Sequence, residues 1–114
     1  ACTILFNNEP VRSCLMLAPQ IDNGEITTIE GISENSSYND LREAFKKYHA
    51  LQCGYCTPGF ITTIVYLLEK KQFLKEEEIR EKLSGNICRC TGYTGIVKAV
   101  EEVFLNRFKK SKND

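Results

Sequence analysis

Four cysteines in two tight pairs constrain this chain more than any other feature of it. The first pair lies in Gln52-Cys53-Gly54-Tyr55-Cys56-Thr57-Pro58-Gly59, a Cys-x-x-Cys. The second lies in Ser84-Gly85-Asn86-Ile87-Cys88-Arg89-Cys90-Thr91-Gly92-Tyr93, a Cys-x-Cys. One helical hairpin's worth of chain separates them. Thiols at such short fixed spacings signal ligation of a metal or cluster, so the fold must bring two distant loops to one place.

The bulk properties narrow the setting. The chain has 114 residues, enough for one domain or two small halves. Its formal net charge is zero, so no basic footprint points to nucleic acid. The longest mostly apolar stretch, Phe60 to Leu68, contains Thr62 and Thr63 and is too short to span a bilayer. No signal-peptide pattern opens the chain. Ala1 starts directly on a strand-like run with no initiator Met, so the expectation is that Ala1 is not the native start. Six cysteines would permit a disulfide framework, but that wants a secreted context. A reduced compartment, the cytoplasm, favours metal ligation or redox chemistry instead.

The first thirty residues read as β-rich. Residues 1–7 make a strand, Asn7-Asn8-Glu9-Pro10 a turn, and Val11-Arg12-Ser13-Cys14 a returning strand. Leu15 to Ala18 suggests one helical turn before Pro19, and Asp22-Asn23-Gly24 a further turn. Glu25 to Ile29 alternates polar and β-branched residues and, through Glu30, predicts another strand. Gly31 to Asn39 reads as a polar linker. Beyond Asn39 the chain reads as four helices in a compact bundle. The first runs over 40–48 with a stripe of Leu41, Ala44, Phe45 and Tyr48. The second begins with Thr57 as N-cap and Pro58 in the first turn, and runs to about Lys70 as the most buried helix. The third covers about 75–83, with Glu76, Glu77 and Glu78 in its first turn and Gly85 placed to end it. The fourth starts near Thr94 and turns Ile96, Val97, Val100, Val103 and Phe104 inward. Lys109 to Asp114 reads as a frayed charged tail.

Both cysteine pairs therefore lie in loops that lead into helix N-termini. There, free N–H groups and the positive dipole end stabilise thiolates. Gly54, Gly59, Gly85, Gly92 and Gly95 flank the pairs and let backbone approach sulfur. Such N–H to sulfur bonds raise a cluster's reduction potential, and Arg89 adds positive charge between two of the cysteines. Zinc would accept four thiolates, but zinc modules more often use two Cys-x-x-Cys knuckles. A thioredoxin-like motif needs a βαβ context that is missing. A disulfide across Cys88 and Cys90 would be strained. Spacing alone thus favours an iron–sulfur cluster over zinc. It leaves a zinc-stabilised four-cysteine binding module without a redox role as the alternative. Cys2 and Cys14 flank the hairpin with eleven residues between them. They read either as two half-buried cysteines or as the last two ligands of a plant-type [2Fe–2S] loop.

These blocks resemble the small iron–sulfur subunit of the molybdenum hydroxylases, the xanthine dehydrogenase, aldehyde oxidoreductase and carbon monoxide dehydrogenase group. The matching residues are Ala1-Cys2-Thr3, Val11-Arg12-Ser13-Cys14-Leu15, Thr28-Ile29-Glu30-Gly31, the two cysteine loops, Glu77-Glu78-Ile79-Arg80 and Ile96-Val97. The resemblance implies an α+β fold. A C-terminal four-helix [2Fe–2S]-binding bundle (34–114) would follow the C-terminal part of a plant-ferredoxin-like β-grasp domain (1–33). It implies a helical-domain [2Fe–2S] cluster on Cys53, Cys56, Cys88 and Cys90. Gln52 and Cys90 would contact the molybdopterin of a large subunit. Cys2 and Cys14 would take the third and fourth ligand positions of a second [2Fe–2S] cluster, whose first two ligands lie upstream of Ala1. Electrons would pass from molybdenum through both clusters to FAD on a medium subunit, in a heterotrimer or its dimer. Substrate chemistry would occur on another subunit of this oxidoreductase.

The remaining polar residues carry ordinary readings. His49, the only histidine, fits a helix C-terminal cap better than a ligand. Glu76 to Glu78 reads as a solvated first turn, and no nucleophile–base constellation stands out. Tyr55 and Tyr93 would either shield the cluster or simply pack. Lys75 stands where a capping Ser or Thr is usual.

Overall fold

A computed structural model describes residues 1–109. Of the expected charged tail, Lys109 closes a π turn over Leu105–Lys109, and residues 110–114 lie outside the described residues.

The first strands form because Asn7 and Asn8 both accept a left-handed backbone (φ 51° and 68°). Two such residues make the tight turn whose twist suits a hairpin. Strands β1 (Thr3–Phe6) and β2 (Glu9–Arg12) thus pair antiparallel, with Phe6 opposite Glu9 and Thr3 opposite Arg12. Glu9 and Pro10 belong to β2 rather than to the turn. Pro10 is tolerated because β2 is an edge strand in the order β2-β1-β3. Residues 15–18 do not make the expected helical turn. Instead 3-10 turns over Ser13–Leu15 and Ala18–Ile21 flank an extended Met16 and Leu17, and Pro19 sits inside the second.

The expected strand over 25–30 is only partly present. β3 is Ile26–Thr27, paired with Leu5 and Phe6, and Ile29–Ser33 is a short helix, α1. Ile32 is buried and Ile29 packs against the core, so one face of α1 is spent on burial rather than on sheet pairing. Arg42 holds the end of this helix by donating to the carbonyls of Ile32 (3.3 Å), Ser33 and Asn35 (3.1 Å). The described residues therefore hold five α-helices, not four, beside a three-stranded sheet.

The other helices are α2 (Asn39–Lys47), α3 (Thr57–Glu69), α4 (Glu76–Lys82) and α5 (Thr94–Phe104). α3 is the central one. Gly59 to Val65, Leu67 and Leu68 are all buried, with β1 on one side and α1 on another. Its cap differs from expectation. Cys56 occupies the N-cap position, Thr57 is the first helical residue, and Thr57 Oγ1 is buried without a hydrogen-bond partner. Thr62 and Thr63 are buried but donate to the carbonyls of Pro58 (2.8 Å) and Gly59 (3.0 Å). α4 starts without a capping hydroxyl because the Glu78 carboxylate accepts from the Lys75 N–H at 3.1 Å. Gly85 does not terminate it by a left-handed step, since Leu83 is the C-cap and Gly85 lies in the turn beyond.

α2 ends in a Schellman turn: Ala50 N–H donates to Phe45 O (2.9 Å) and His49 N–H to Lys46 O (3.3 Å). His49 is the left-handed residue (φ 52°), so the cap role expected of it is a backbone one. The start of α5 then lies directly against that turn. A Cβ on Gly95 would come within 2.7 Å of Tyr48 O. No helix among the described residues is long and apolar enough to cross a membrane.

Candidate metal centre

The two cysteine loops enter α3 and α5, and those two helix starts bring them together. In the first loop Gly54 takes φ 83°, which lets the chain reverse between Cys53 and Cys56. Thr57 N–H then donates to Gly54 O at 3.3 Å and Phe60 N–H to Cys56 O at 3.2 Å, starting α3. In the second loop Gly92 and Tyr93 are both left-handed, at φ 68° and 72°. For tyrosine this conformation is strained, and three contacts hold it. Its hydroxyl accepts from Cys88 N–H at 2.9 Å, and its N–H donates to Thr91 Oγ1 at 3.1 Å. Its ring meets Phe60 edge-on, with centroids 6.3 Å apart.

The sulfurs of the two loops come together. Cys53 Sγ and Cys90 Sγ are 3.5 Å apart, and Cys56 lies near enough to Cys88 for each to perturb the other's ionisation. All six cysteines are free. Zinc would gather all four thiolates about one centre, whereas a [2Fe–2S] cluster needs one pair for each of two irons. The donor set fits the cluster: four thiols, two pairs, and N–H groups aimed at sulfur.

Electrostatics shifts the two members of each pair in opposite directions. Burial works against the Cys88 thiolate, but the hydroxyl and N–H of Thr91 (3.2 and 3.4 Å from Sγ), with Cys56, outweigh it and bring Cys88 down to about 7. Burial and then the neighbouring Cys88 push Cys56 up to about 11. The Tyr55 N–H, followed by Cys90, lowers Cys53, while Cys53 raises Cys90. Metal binding therefore has to displace the proton of Cys56.

Exposure divides the site the other way. Cys88 is buried and Cys56 half-buried, whereas Gln52, Cys53, Arg89 and Cys90 are exposed. Tyr55 is 78% exposed, so it does not pack. Tyr93 packs and also braces the loop.

Cys2 and Cys14 form a second pair, with Sγ atoms 3.2 Å apart. The hairpin register and Ser13, whose N–H and hydroxyl both donate to Cys2 O, hold them together. Arg12 then ties this hairpin to the second cysteine loop, donating to Thr3 Oγ1 and to Gly85 O. Gly85 and Gly59 serve close approach here: a Cβ would meet Arg12 Nη2 at 3.0 Å in the first case and Asn86 Nδ2 at 3.2 Å in the second. Sequence reasoning missed the roles of Arg12 and Thr91. Only the position of Thr91 directly after Cys90 hinted at one.

The [2Fe–2S] binding domain family matches residues 28–101. The chain is 47% identical over 106 residues to the caffeine dehydrogenase subunit gamma of Pseudomonas sp. (strain CBB1), covering 90% of this chain and 64% of that one. It is 53% identical over 100 residues to the nicotine 6-hydroxylase small subunit of Paenarthrobacter nicotinovorans, covering 88% and 60%. It thus spans less than two thirds of these relatives. The crystal structure of quinoline 2-oxidoreductase from Pseudomonas putida 86 superposes with a TM-score of 0.82 at 43% identity, over 91% of this chain and 64% of that chain. Matched in this way, the chain belongs to the [2Fe–2S] binding domain family, and it is similar to small iron–sulfur subunits named for xanthine dehydrogenase and aldehyde oxidoreductase.

Proposed function

We propose that this chain is the cluster-binding part of an electron-transfer subunit in a molybdopterin-dependent hydroxylase or dehydrogenase. The observation that carries the proposal is the meeting of the two cysteine loops at the starts of α3 and α5, with Cys53 Sγ 3.5 Å from Cys90 Sγ. Bound there, a [2Fe–2S] cluster supplies reversible one-electron chemistry. The chain's own residues supply four thiolates, exclude water on the Cys88 side and donate N–H and O–H bonds to sulfur. The exposed Gln52, Cys53 and Cys90 would face the molybdopterin of a large subunit, with Gln52 and Cys90 in contact with the pterin. Cys2 and Cys14, already paired, would supply two ligands of a second [2Fe–2S] cluster on the way to FAD on a medium subunit. Residues 1–33 would form the ferredoxin-like part and 34–114 the helical part of a cytoplasmic heterotrimer.

The native protein, purified anaerobically, is expected to be red-brown with iron and acid-labile sulfide. Reduction should give a rhombic EPR signal, and Cys88→Ser should remove the signal of the helical-domain cluster. Colourless protein with stoichiometric zinc from an iron-replete preparation would establish the zinc-stabilised binding module instead.

A further inference from the structure

We propose that Thr91 and Tyr93 form a hydrogen-bond relay that sets the electron affinity of the helical-domain cluster through the Cys88 sulfur. Thr91 acts by direct donation, and Tyr93 is a positioning residue acting through Thr91. The inference rests on the reading of Cys53, Cys56, Cys88 and Cys90 as ligands of that cluster.

The bonds close on themselves. Cys88 N–H donates to the Tyr93 hydroxyl (2.9 Å), Tyr93 N–H donates to Thr91 Oγ1 (3.1 Å), and Thr91 Oγ1 donates to Cys88 Sγ (3.2 Å). The Thr91 N–H adds a second bond to the same sulfur at 3.4 Å. Because the Thr91 hydroxyl oxygen accepts from the Tyr93 amide, its own proton is left for the sulfur. Cys88 is the one buried cysteine of the four, so solvent does not screen these bonds as it does at the exposed Cys53 and Cys90.

The left-handed backbone of Tyr93 is the second observation. Glycine would take this conformation without strain, yet the chain places there a tyrosine anchored through its hydroxyl to Cys88 and through its ring to Phe60. The anchor fixes the Tyr93 amide where it meets Thr91. Donors to a thiolate favour the more negative, reduced state and so raise the reduction potential.

The test is an EPR-monitored redox titration of the native complex. Thr91→Val is expected to weaken reduction about tenfold, a fall of about 59 mV for a one-electron couple. Thr91→Ser should titrate like the wild type. Tyr93→Phe should shift the potential in the same direction by less. The double variant should match Thr91→Val alone, because Tyr93 acts only through Thr91. After chelation, amide exchange at Cys88 should be faster in Tyr93→Phe than in the wild type. An unchanged potential in Thr91→Val, or shifts from the two residues that add, would overturn the relay. Unchanged Cys88 exchange in Tyr93→Phe would overturn the part assigned to Tyr93 without any loaded cluster. A wild type with no rhombic signal would sink the cluster reading itself, which separates the two failures.

Discussion

At the scale of single residues, the turn where α2 meets α5 offers opposite predictions from neighbouring positions. Gly95 has no room for a side chain, since its Cβ would press on the carbonyl oxygens of Tyr48 (2.7 Å) and His49 (3.3 Å). Alanine normally gains about 1 kcal/mol over glycine inside a helix. Here the neighbour is backbone locked in a Schellman turn, so overpacking prevails. Gly95→Ala is expected to destabilise by roughly 1–3 kcal/mol in urea unfolding. His49, left-handed at φ 52°, is the reverse case. His49→Gly should raise the urea midpoint by about 1 kcal/mol equivalent, and a fall would show that its side chain carries stability. The two cysteine pairs and the left-handed turns at Gly54 and Gly92 were legible in the sequence, because spacing and residue type dictate them. Gly59, Gly85 and Gly95, expected to bring backbone to sulfur, instead face Asn86, Arg12 and Tyr48 O, and His49 caps through its backbone. Tyr93 was not legible, because its role depends on a hydroxyl that returns to Cys88 across a turn of two left-handed residues.

At the scale of elements, helices with one strong apolar pattern were readable and the short α1 was not. α3 announces itself by Thr57-Pro58 and an apolar run, and Leu41, Ala44 and Phe45 of α2 are buried as their spacing requires. Ile29 and Glu30 continue the alternating pattern of residues 25–30 and Gly31 to Ser33 read as linker, but Ile29 and Ile32 are three apart and one helical turn sets both against the core. Tertiary packing there overrides propensity. A clamp between distant elements was equally hidden: Arg107 donates twice to Asp40 (both 2.7 Å) and also to Ser37 O, joining the π turn that follows α5 to the start of α2. The Arg107 guanidinium holds Asp40 below the usual carboxylate range, so the clamp is complete above the unfolded value of about 3.9 and lost as pH falls through the folded one. The pair is partly exposed, which limits it to about 0.5–1 kcal/mol. Arg107→Ala should lower the thermal midpoint at pH 7, and its deficit against the wild type should shrink as pH falls below about 4. A deficit independent of pH would assign the effect to packing on Tyr38, whose ring lies 5.8 Å from the guanidinium.

For the whole molecule, the question is whether the hairpin that carries Cys2 and Cys14 stands or falls with the helices. Leu5 of β1 is only 7% exposed and lies in the same buried cluster as Phe60, Ile64 and Phe104. Arg12 adds a polar tie to the second cysteine loop. A core shared in this way makes unfolding one cooperative event. Leu5→Ala should then lower the midpoint of helix loss, followed by far-ultraviolet circular dichroism. The expected loss is roughly 2–3 kcal/mol, the lower part of the range for buried leucine. Leu15→Ala and Leu17→Ala are the controls, because these side chains are 80% and 70% exposed and should leave the midpoint within about 0.5 kcal/mol. If Leu5→Ala left helix loss unchanged while hairpin amides exchanged faster, the strands and helices would be separate cooperative units. The Cys2–Cys14 pair would then be held by the hairpin alone. A common midpoint would mean instead that both thiol pairs are positioned by one core, so that damage far from either pair disturbs both together.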